Sequence, residues 1–280
     1  MRLETLLPLG KVDPGLRAPE VPLDLHAVAH DARLLEEIGY TGLVVEETKD
    51  DPYVLMALAA QATSRLRLGT SVAMAFPRSP TITAMSAWTL AKLSRGRFIL
   101  GLGPQVKAHI ERRYGLAWSP AGPWMREYVS AVRAVWRHWQ TGAKLDVQGP
   151  HYTINLMVPL FNPGPIEHPD IPFYASTPQY RAAFDHLGLG DLADRLKLLS
   201  RAQRWEEMPQ HIDDEVLNTF VTIGTYDTIA KKLTERFGNC VTDCEFSIAV
   251  KTEADKERLR ALAREIQGRG TAQAQKTIVG

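Results

Sequence analysis

The sequence predicts an α/β protein built on parallel strands, and three observations support this fold class. Short apolar runs alternate with amphipathic segments of helical length between residues 3 and 103, in a βαβαβαβ order. The links between them are short, which is typical of right-handed crossovers between parallel strands. The chain has 280 residues, 45% of them hydrophobic, which is enough to bury the core of one α/β barrel domain.

Each element of the first half follows from local signals. Asp24 is placed to cap a first helix, whereas Pro52 and Pro80 suit the first turns of the second and third helices. Glycines and polar residues end the apolar runs between the helices. The strands are therefore predicted at 3–9, 42–47, 66–74 and 97–103, and the helices at 24–38, 52–64 and 80–93.

The second half is less regular. A helical stripe of apolar residues covers 124–140, and a small hairpin is predicted around Gln148 and Gly149. A proline-rich excursion follows at 155–172. The remaining predictions are strands at 171–176 and 244–250, helices at 178–187, 190–204 and 225–237, a helix from Thr252 to about residue 266, and a frayed tail after Gly268.

Composition and motifs exclude several functional classes. The net charge is +1 with no long basic block, so nucleic acid is not the expected partner. No apolar run reaches the ~20 residues of a membrane span, and the N-terminus lacks the pattern of a signal peptide, so we expect a cytoplasmic protein. Cys240, Cys244 and the histidines show no metal-ligand spacing, so no metal site is predicted.

Three motifs together resemble a known family. They are the segments 68–72 (LGTSV), 96–103 (GRFILGLG) and 125–128 (MREY), in that order after a strand with an acidic end. The pattern is similar to the bacterial luciferase-like superfamily, and within it to the deazaflavin (coenzyme F420)-dependent oxidoreductases. The resemblance covers residues 1 to about 172 and resumes from about 173 to 250.

The resemblance implies an eight-stranded (β/α)₈ TIM-barrel type of fold, but only six candidate strands are found here. About two βα units of roughly 30 residues each are missing, and the gap falls near Pro172 and Phe173. We therefore expect a single barrel domain over 1–280 that is incomplete, with an excursion at 141–170 and a helical part at 177–240. An open sheet leaves unpaired strand edges, so the sheet closes with fewer strands, a partner covers it, or the chain is a remnant.

The resemblance also implies site residues at the end of the second strand. Glu47 and Thr48 are the candidate catalytic residues, and Glu46 is a candidate for binding the cofactor. In the family an acidic and a polar residue here face the deazaflavin ring and its ribityl arm. Many deazaflavin enzymes have histidine where Thr48 stands, so a histidine base is absent from that position.

The third and fourth strands supply the other expected contacts with the cofactor. Ser71 and Val72 align with a non-proline cis peptide that lies behind the ring system in the family, and Ala73 follows them. The remaining candidates lie at the end of the fourth strand, where two glycines permit a ligand to approach the backbone closely. They are Gly101, Gly103, Gln105 and Lys107.

The function implied by the resemblance is hydride transfer between coenzyme F420 and a small organic substrate. An FMN-dependent monooxygenase of the same fold is one alternative, and a non-catalytic binding or scaffold protein left by loss of barrel units is another. We expect a small-molecule substrate and a homodimer, with no nucleic acid and no membrane as partners. Family members commonly pair through helices near the second and third strands.

Overall fold

The computed structural model describes residues 1–9, 22–175, 184–202, 204–246 and 248–278. Its backbone contacts group the chain into two compact units. The N-terminal unit comprises Glu4–Leu9 and Asp24–Thr177, and it contains the predicted site. The C-terminal unit comprises Met1–Leu3 and the described residues from 184 onward. Each unit is described by itself below.

The N-terminal unit is organised around a parallel sheet. Its strands are β1 (Arg2–Leu6), β2 (Gly42–Val45), β3 (Arg67–Thr70), β4 (Ala73–Met74), β5 (Phe98–Gly103) and β8 (Phe173–Ala175). The strand pairs described within this sheet are parallel, and the hydrogen-bonded order is β4-β5-β3-β2-β1, with β8 also paired to β5. In the registers, Val44 lies beside Gly69, Leu68 beside Phe98, and Leu100 beside Phe173.

Helices connect these strands and begin where the sequence places its caps. The Asp51 carboxylate accepts from the N–H groups of Tyr53 and Val54, and the Ser79 hydroxyl accepts from Ile82 N–H, so both helix starts have a side-chain cap. The helices of this unit are α1 (Val28–Ile38), α2 (Pro52–Ala62), α3 (Pro80–Ser94), α4 (Lys107–Arg112) and α5 (Ala121–Thr141). An antiparallel hairpin of β6 (Val147–Gln148) and β7 (Thr153–Ile154) follows α5.

Two charged side chains hold the turn between α2 and β3. The Glu36 carboxylate accepts from the backbone N–H groups of Ser64, Arg65 and Leu66 at 3.0, 2.6 and 2.9 Å. From the other side, Arg97 donates to carbonyl oxygens at the end of α2 and to Leu66 O. Backbone groups that have no partner within the helix are thereby satisfied, and the chain enters β3 in a fixed direction.

The core lies between the sheet and α1, α2, α3 and α5. Its largest fully buried side chains include Trp88, Phe98 and Tyr128. On α5 the predicted apolar stripe is buried, except that Val129 is only half-buried. A helix packed on one face of a sheet buries such a stripe because 3.6 residues make one turn.

The C-terminal unit is mainly helical. Arg2 N–H donates to Thr242 O at 2.8 Å, and the Arg2 guanidinium forms two hydrogen bonds with the Asp243 carboxylate, so within this unit Arg2 lies beside β9 (Asp243–Glu245). At the last helix, Thr252 and Asp255 cap each other reciprocally. The helices are α6 (Gly190–Arg201), α7 (Asp214–Phe220), α8 (Ile229–Phe237) and α9 (Glu253–Ile278).

Most predicted elements are present, and the differences have local causes. The first helix begins at Val28 rather than at Asp24, because the Asp24 side chain and carbonyl instead hold a turn at residues 25–27. The predicted third strand is interrupted at Ser71–Val72. The strand predicted at 244–250 is only Asp243–Glu245, and the last helix continues to Ile278 instead of fraying after Gly268. Residues 176–183 of the predicted strand and helix lie outside the described residues.

Candidate functional site

The carboxyl ends of β2, β3, β4 and β5 meet at one edge of the N-terminal unit. We call residues 46–48, 71–74 and 101–107 the rim. Glu47 N–H donates to Val72 O at 3.3 Å, which joins the end of β2 to the third predicted strand. The Gln105 side chain reaches Met74 Sδ at 3.4 Å, which joins that strand to the end of β5. The structure therefore brings together the three segments that the sequence analysis selected.

The peptide bond between Ser71 and Val72 is cis, as the resemblance implied. Around it, Ser71 N–H still donates to Val45 O at 2.7 Å. The Thr70 hydroxyl both donates to Gly101 O at 2.6 Å and accepts from Gly101 N–H at 2.9 Å. A buried side chain thus replaces the backbone ladder where β3 ends, and no buried polar group of Gly101 is left unsatisfied.

Gly103 is glycine because Val72 occupies the space beside it. A Cβ placed on Gly103 would lie 2.5 Å from Val72 Cγ2, which is far inside ordinary contact distance. Beyond this point Ala75 N–H donates to Gly103 O at 2.9 Å, so β4 stays attached to β5. The glycine therefore allows Val72 to pack directly on the backbone of β5.

Glu47 does not present an unpaired carboxylate. Its Oε2 atom accepts from Arg78 Nη1 at 2.6 Å and from Met74 N–H at 2.7 Å. Arg78 also donates to Asp51 at 2.9 Å and lies 5.3 Å from the centre of the Tyr53 ring. Burial alone would lower the pKa of Arg78, but the hydrogen bonds and charges of Glu47 and Asp51 outweigh it and raise that pKa.

The other predicted residues occupy different environments. Thr48 is exposed, and its carbonyl accepts from Arg113 at 3.3 Å. Ala73 is fully buried, so its contribution to the rim is made by its backbone. Lys107 begins α4, is largely exposed and pairs with Glu111 at 3.7 Å. Glu46 and Gln105 are half-buried.

An aromatic wall stands behind the rim. The Phe76 ring stacks on Trp124 with centroids 3.7 Å apart and an interplanar angle of 7°, and its edge meets Tyr128. The Tyr128 hydroxyl lies 2.5 Å from the Thr83 hydroxyl, and burial raises the pKa of Tyr128. This wall joins the end of β4 to α3 and α5, so the rim rests on rigid elements.

Sequence reasoning missed Arg78 and Phe76. Arg78 lies on a loop that has no recognisable sequence motif. The one signal for it was indirect: if the Glu47 carboxylate at the end of β2 is buried, it needs a cation beside it. Phe76 lies between the predicted third strand at 66–74 and the predicted helix at 80–93, where the sequence analysis assigned no element and no role.

Within the described ranges, no cluster of His, Cys, Asp and Glu has the arrangement needed to hold a metal ion. No helix in that part of the chain combines the length and apolar character that crossing a bilayer requires.

Comparison with known proteins first identifies a family. The model of the luciferase-like monooxygenase family matches residues 5–179, which is more than half of the chain. The uncharacterized protein Rv1360 of Mycobacterium tuberculosis is 32% identical over 299 residues, covering 77% of this chain and 88% of that protein. A second protein of that organism, Rv3520c, is provisionally named a coenzyme F420-dependent oxidoreductase. It is 37% identical to this chain over 143 residues, which cover 51% of this chain and 39% of that protein.

The alignment with Rv1360 also bears on the expected shortening. Because 77% of 280 residues is about 216, roughly 80 of the 299 aligned positions have no residue of this chain opposite them. That number corresponds to between two and three βα units of about 30 residues each. The comparison agrees with a barrel that has lost internal units.

Solved structures share the fold. The coenzyme F420-dependent tetrahydromethanopterin reductase of Methanopyrus kandleri has a TM-score of 0.68 at 16% identity, covering 95% of this chain and 97% of its own. The oxygenating constituent of 3,6-diketocamphane monooxygenase from Pseudomonas putida, solved with FMN, has a TM-score of 0.63 at 13% identity, covering 95% of this chain and 98% of its own. The fold is thus an incomplete barrel of the luciferase-like TIM-barrel type, and the chain belongs to the luciferase-like monooxygenase family, whose members are F420- and FMN-dependent oxidoreductases and monooxygenases.

Proposed function

We propose that this protein is an oxidoreductase that transfers a hydride between coenzyme F420 and a small organic substrate. The observation that carries the proposal is the convergence of Glu47, Val72, Met74 and Gln105 at one edge of the sheet. The relative provisionally named for coenzyme F420 favours the deazaflavin over FMN, since it is 37% identical over its matched region. The FMN-containing neighbour is 13% identical and supports the fold alone.

The side chains of the rim fit a flat, partly polar ring system. Val72 and Met74 offer half-buried apolar surface, and Ser71 and Gln105 offer half-buried polar groups beside it. Gly101 and Gly103 are buried, and Val72 packs on the backbone of β5 beside Gly103, so a planar group at the rim contacts Val72 rather than β5 itself. Apolar faces flanked by a few fixed polar groups are typical of cofactor sites.

Each group of the rim then has a defined task. When bound, the deazaflavin supplies the hydride chemistry, and the protein supplies position and surroundings. Ser71 and Gln105 bind the polar edge of the ring, and Val72 supports its face. Glu47 is a positioning residue in this account, because its carboxylate holds Met74 N–H and Arg78. Glu46 and Thr48 lie at the end of β2. In this account they contact the substrate or the ribityl arm of the cofactor.

Binding titrations with coenzyme F420 and with FMN test the proposal. We expect saturable quenching of F420 fluorescence, and weaker binding for Gln105→Ala. The control Ser130→Ala, at an exposed position of α5, should bind like the wild-type protein. Saturation with FMN alone would instead identify an FMN-dependent monooxygenase. Absence of saturation with both would reject both enzymes and leave a non-catalytic binding or scaffold protein.

A homodimer is the second part of the proposal. Helices α2 and α3, which follow β2 and the interrupted third strand, pack against each other and expose large apolar side chains in the N-terminal unit. These side chains are Val54, Leu58, Ile82 and Met85. We call them the α2–α3 patch. Exposed large apolar side chains on two neighbouring helices are typical of interaction sites, and a second copy of the chain is the partner that the family resemblance implies.

A further inference from the structure

The start of α5 and the β6–β7 hairpin bring together three side chains that hydride transfer does not use. Ser119 Oγ lies 3.0 Å from His151 Nε2, and His151 Nδ1 lies 2.5 Å from Glu127 Oε2. The three residues are up to 32 positions apart in sequence. A hydroxyl, an imidazole and a carboxylate joined in this order have the geometry of a nucleophile, a general base and the group that orients the base.

The carboxylate fixes which imidazole nitrogen carries the proton. Glu127 Oε1 accepts from the backbone N–H groups of His151 and Tyr152 at 2.9 and 2.8 Å, which leaves Oε2 to accept from His151 Nδ1. Burial would raise the pKa of Glu127, but these hydrogen bonds outweigh it and hold the pKa below its ordinary value. With the proton on Nδ1, the lone pair of Nε2 faces the Ser119 hydroxyl.

Packing holds the imidazole in this orientation. The Trp124 ring stacks on the His151 ring with centroids 5.0 Å apart and an interplanar angle of 11°. Trp124 Nε1 donates to the Tyr152 hydroxyl at 2.8 Å, so Trp124 of α5 contacts both His151 and the next residue of the hairpin segment. A Cβ on Gly149 would collide with the Glu127 carboxylate, so a glycine at this turn is what permits the hairpin to approach.

The surroundings of Ser119 suit attack on a carbonyl carbon. Ser119 is half-buried, and the chain turns there into α5, a helix of 21 residues. The N–H groups of Ala121 and Gly122 belong to the first turn, where no carbonyl of the helix can accept from them. Ser119 precedes the first residue of α5 by two positions, so the positive end of the helix dipole favours negative charge that develops on an oxygen close to it.

We propose that Ser119, His151 and Glu127 form a second site that hydrolyses small carboxylic esters. His151 Nε2 takes the Ser119 proton while Oγ forms a bond to the acyl carbon. The ester C–O bond breaks, and the alcohol leaves with the proton from Nε2. Water then attacks the acyl-serine with the same base, and a carboxylic acid is released while Ser119 regains its proton. No oxidant, reductant or cofactor is needed, so the site works independently of the rim.

The test uses the full chain with a fluorophosphonate probe, which forms a bond from Oγ to phosphorus with loss of fluoride. We expect one adduct, located on Ser119 by mass spectrometry of the peptides. In a separate assay with p-nitrophenyl acetate, we expect a burst of p-nitrophenol equal to the protein concentration, followed by continued turnover. Ser119→Ala should abolish both signals. His151→Gln should slow labelling by about 100-fold or more, the range expected when a general base is removed.

Matched controls distinguish this site from a purely structural cluster. Ser130→Ala removes an exposed hydroxyl from the same helix and should label like the wild-type protein. Circular dichroism should show that Ser119→Ala remains folded, since the change removes one half-buried oxygen. Equal labelling of wild type and Ser119→Ala, an adduct located on another residue, or no adduct at all would overturn the proposal.

Discussion

Arg78 and Glu47 form an ion pair that is 2.6 Å long and largely removed from solvent, with 18% and 12% of the two side chains exposed. The pair lies at the predicted catalytic position, so it changes what Glu47 can do. One oxygen of the Glu47 carboxylate accepts from both the Arg78 guanidinium and Met74 N–H, so these two contacts fix the position of the side chain. Its strongest contribution is to hold the segment after β3 in place.

Replacing Arg78 tests this assignment. Arg78→Gln leaves the Glu47 carboxylate half-buried without its cation, and we expect a loss of about 2–3 kcal/mol in the free energy of unfolding. Urea denaturation followed by circular dichroism measures it. The exposed pair of Lys107 and Glu111 provides the control, because Lys107→Ala should cost less than about 1 kcal/mol. Equal effects of the two changes would show that Arg78 is not structural.

The packing of Val72 on Gly103 gives a second prediction. Gly103→Ala introduces a methyl group where Val72 Cγ2 already lies, so we expect a loss of about 1–3 kcal/mol in stability and a large loss of cofactor affinity. Thermal unfolding and the F420 titration measure the two effects. Gly122→Ala is the control, since nothing lies within 4 Å of its added methyl group. A stable Gly103→Ala variant with wild-type affinity would contradict this account of the rim.

The sequence was sufficient for the elements of the N-terminal unit because their signals are local. Pro52 and Pro80 each begin a helix where predicted, and the capping by Asp51 and Ser79 depends on residues only a few positions away. The same is true of the hairpin predicted around Gln148 and Gly149, whose two short strands are Val147–Gln148 and Thr153–Ile154. Propensity and capping act within one or two turns, so a single sequence contains them in full.

The partners of the site side chains could not be predicted in the same way. Arg78 meets Glu47 across 31 positions, and His151 meets Ser119 across 32, so only the packed fold creates these pairs. The histidines were dismissed because they lack metal-ligand spacing, yet His151 is ordered by a carboxylate rather than a metal. The cis peptide at Ser71–Val72 was inferred from the family resemblance, since no propensity of the two residues indicates it, and the interruption of the third strand there was not predicted.

Acid should weaken the turn that Glu36 holds. Burial would raise the pKa of Glu36, but hydrogen bonds from Arg65, Leu66 and Ser64 lower it below its ordinary value of 4.5. A group with a lowered folded-state pKa contributes stability above its unfolded-state pKa, and the contribution is lost as pH falls through the folded-state value. The turn should therefore be most stable near neutral pH and weaken below about pH 4.5.

Glu36→Gln isolates this contribution. At pH 7 we expect the variant to be less stable by about 1–3 kcal/mol, because an amide oxygen accepts hydrogen bonds more weakly than a carboxylate. The difference between wild type and variant should shrink as the pH falls below 4.5. Urea denaturation over a pH series measures it, and Glu111→Gln on an exposed helix should show no such trend. A difference independent of pH would refute the role of the charge.

The α2–α3 patch predicts the oligomeric state. Val54, Ile82 and Met85 are 57%, 48% and 51% exposed within the described chain, which is a high exposure for large apolar side chains. If a second copy covers them, Met85→Asp places a charge in that interface without disturbing the core, because the side chain already faces outward. We expect the wild-type chain to be a dimer by light scattering at micromolar concentration and Met85→Asp to be a folded monomer. Ser130→Asp places the same charge on exposed α5 and should leave the dimer intact. A monomeric wild-type chain, or a dimer that survives Met85→Asp and Ile82→Asp together, would exclude this face as the interface.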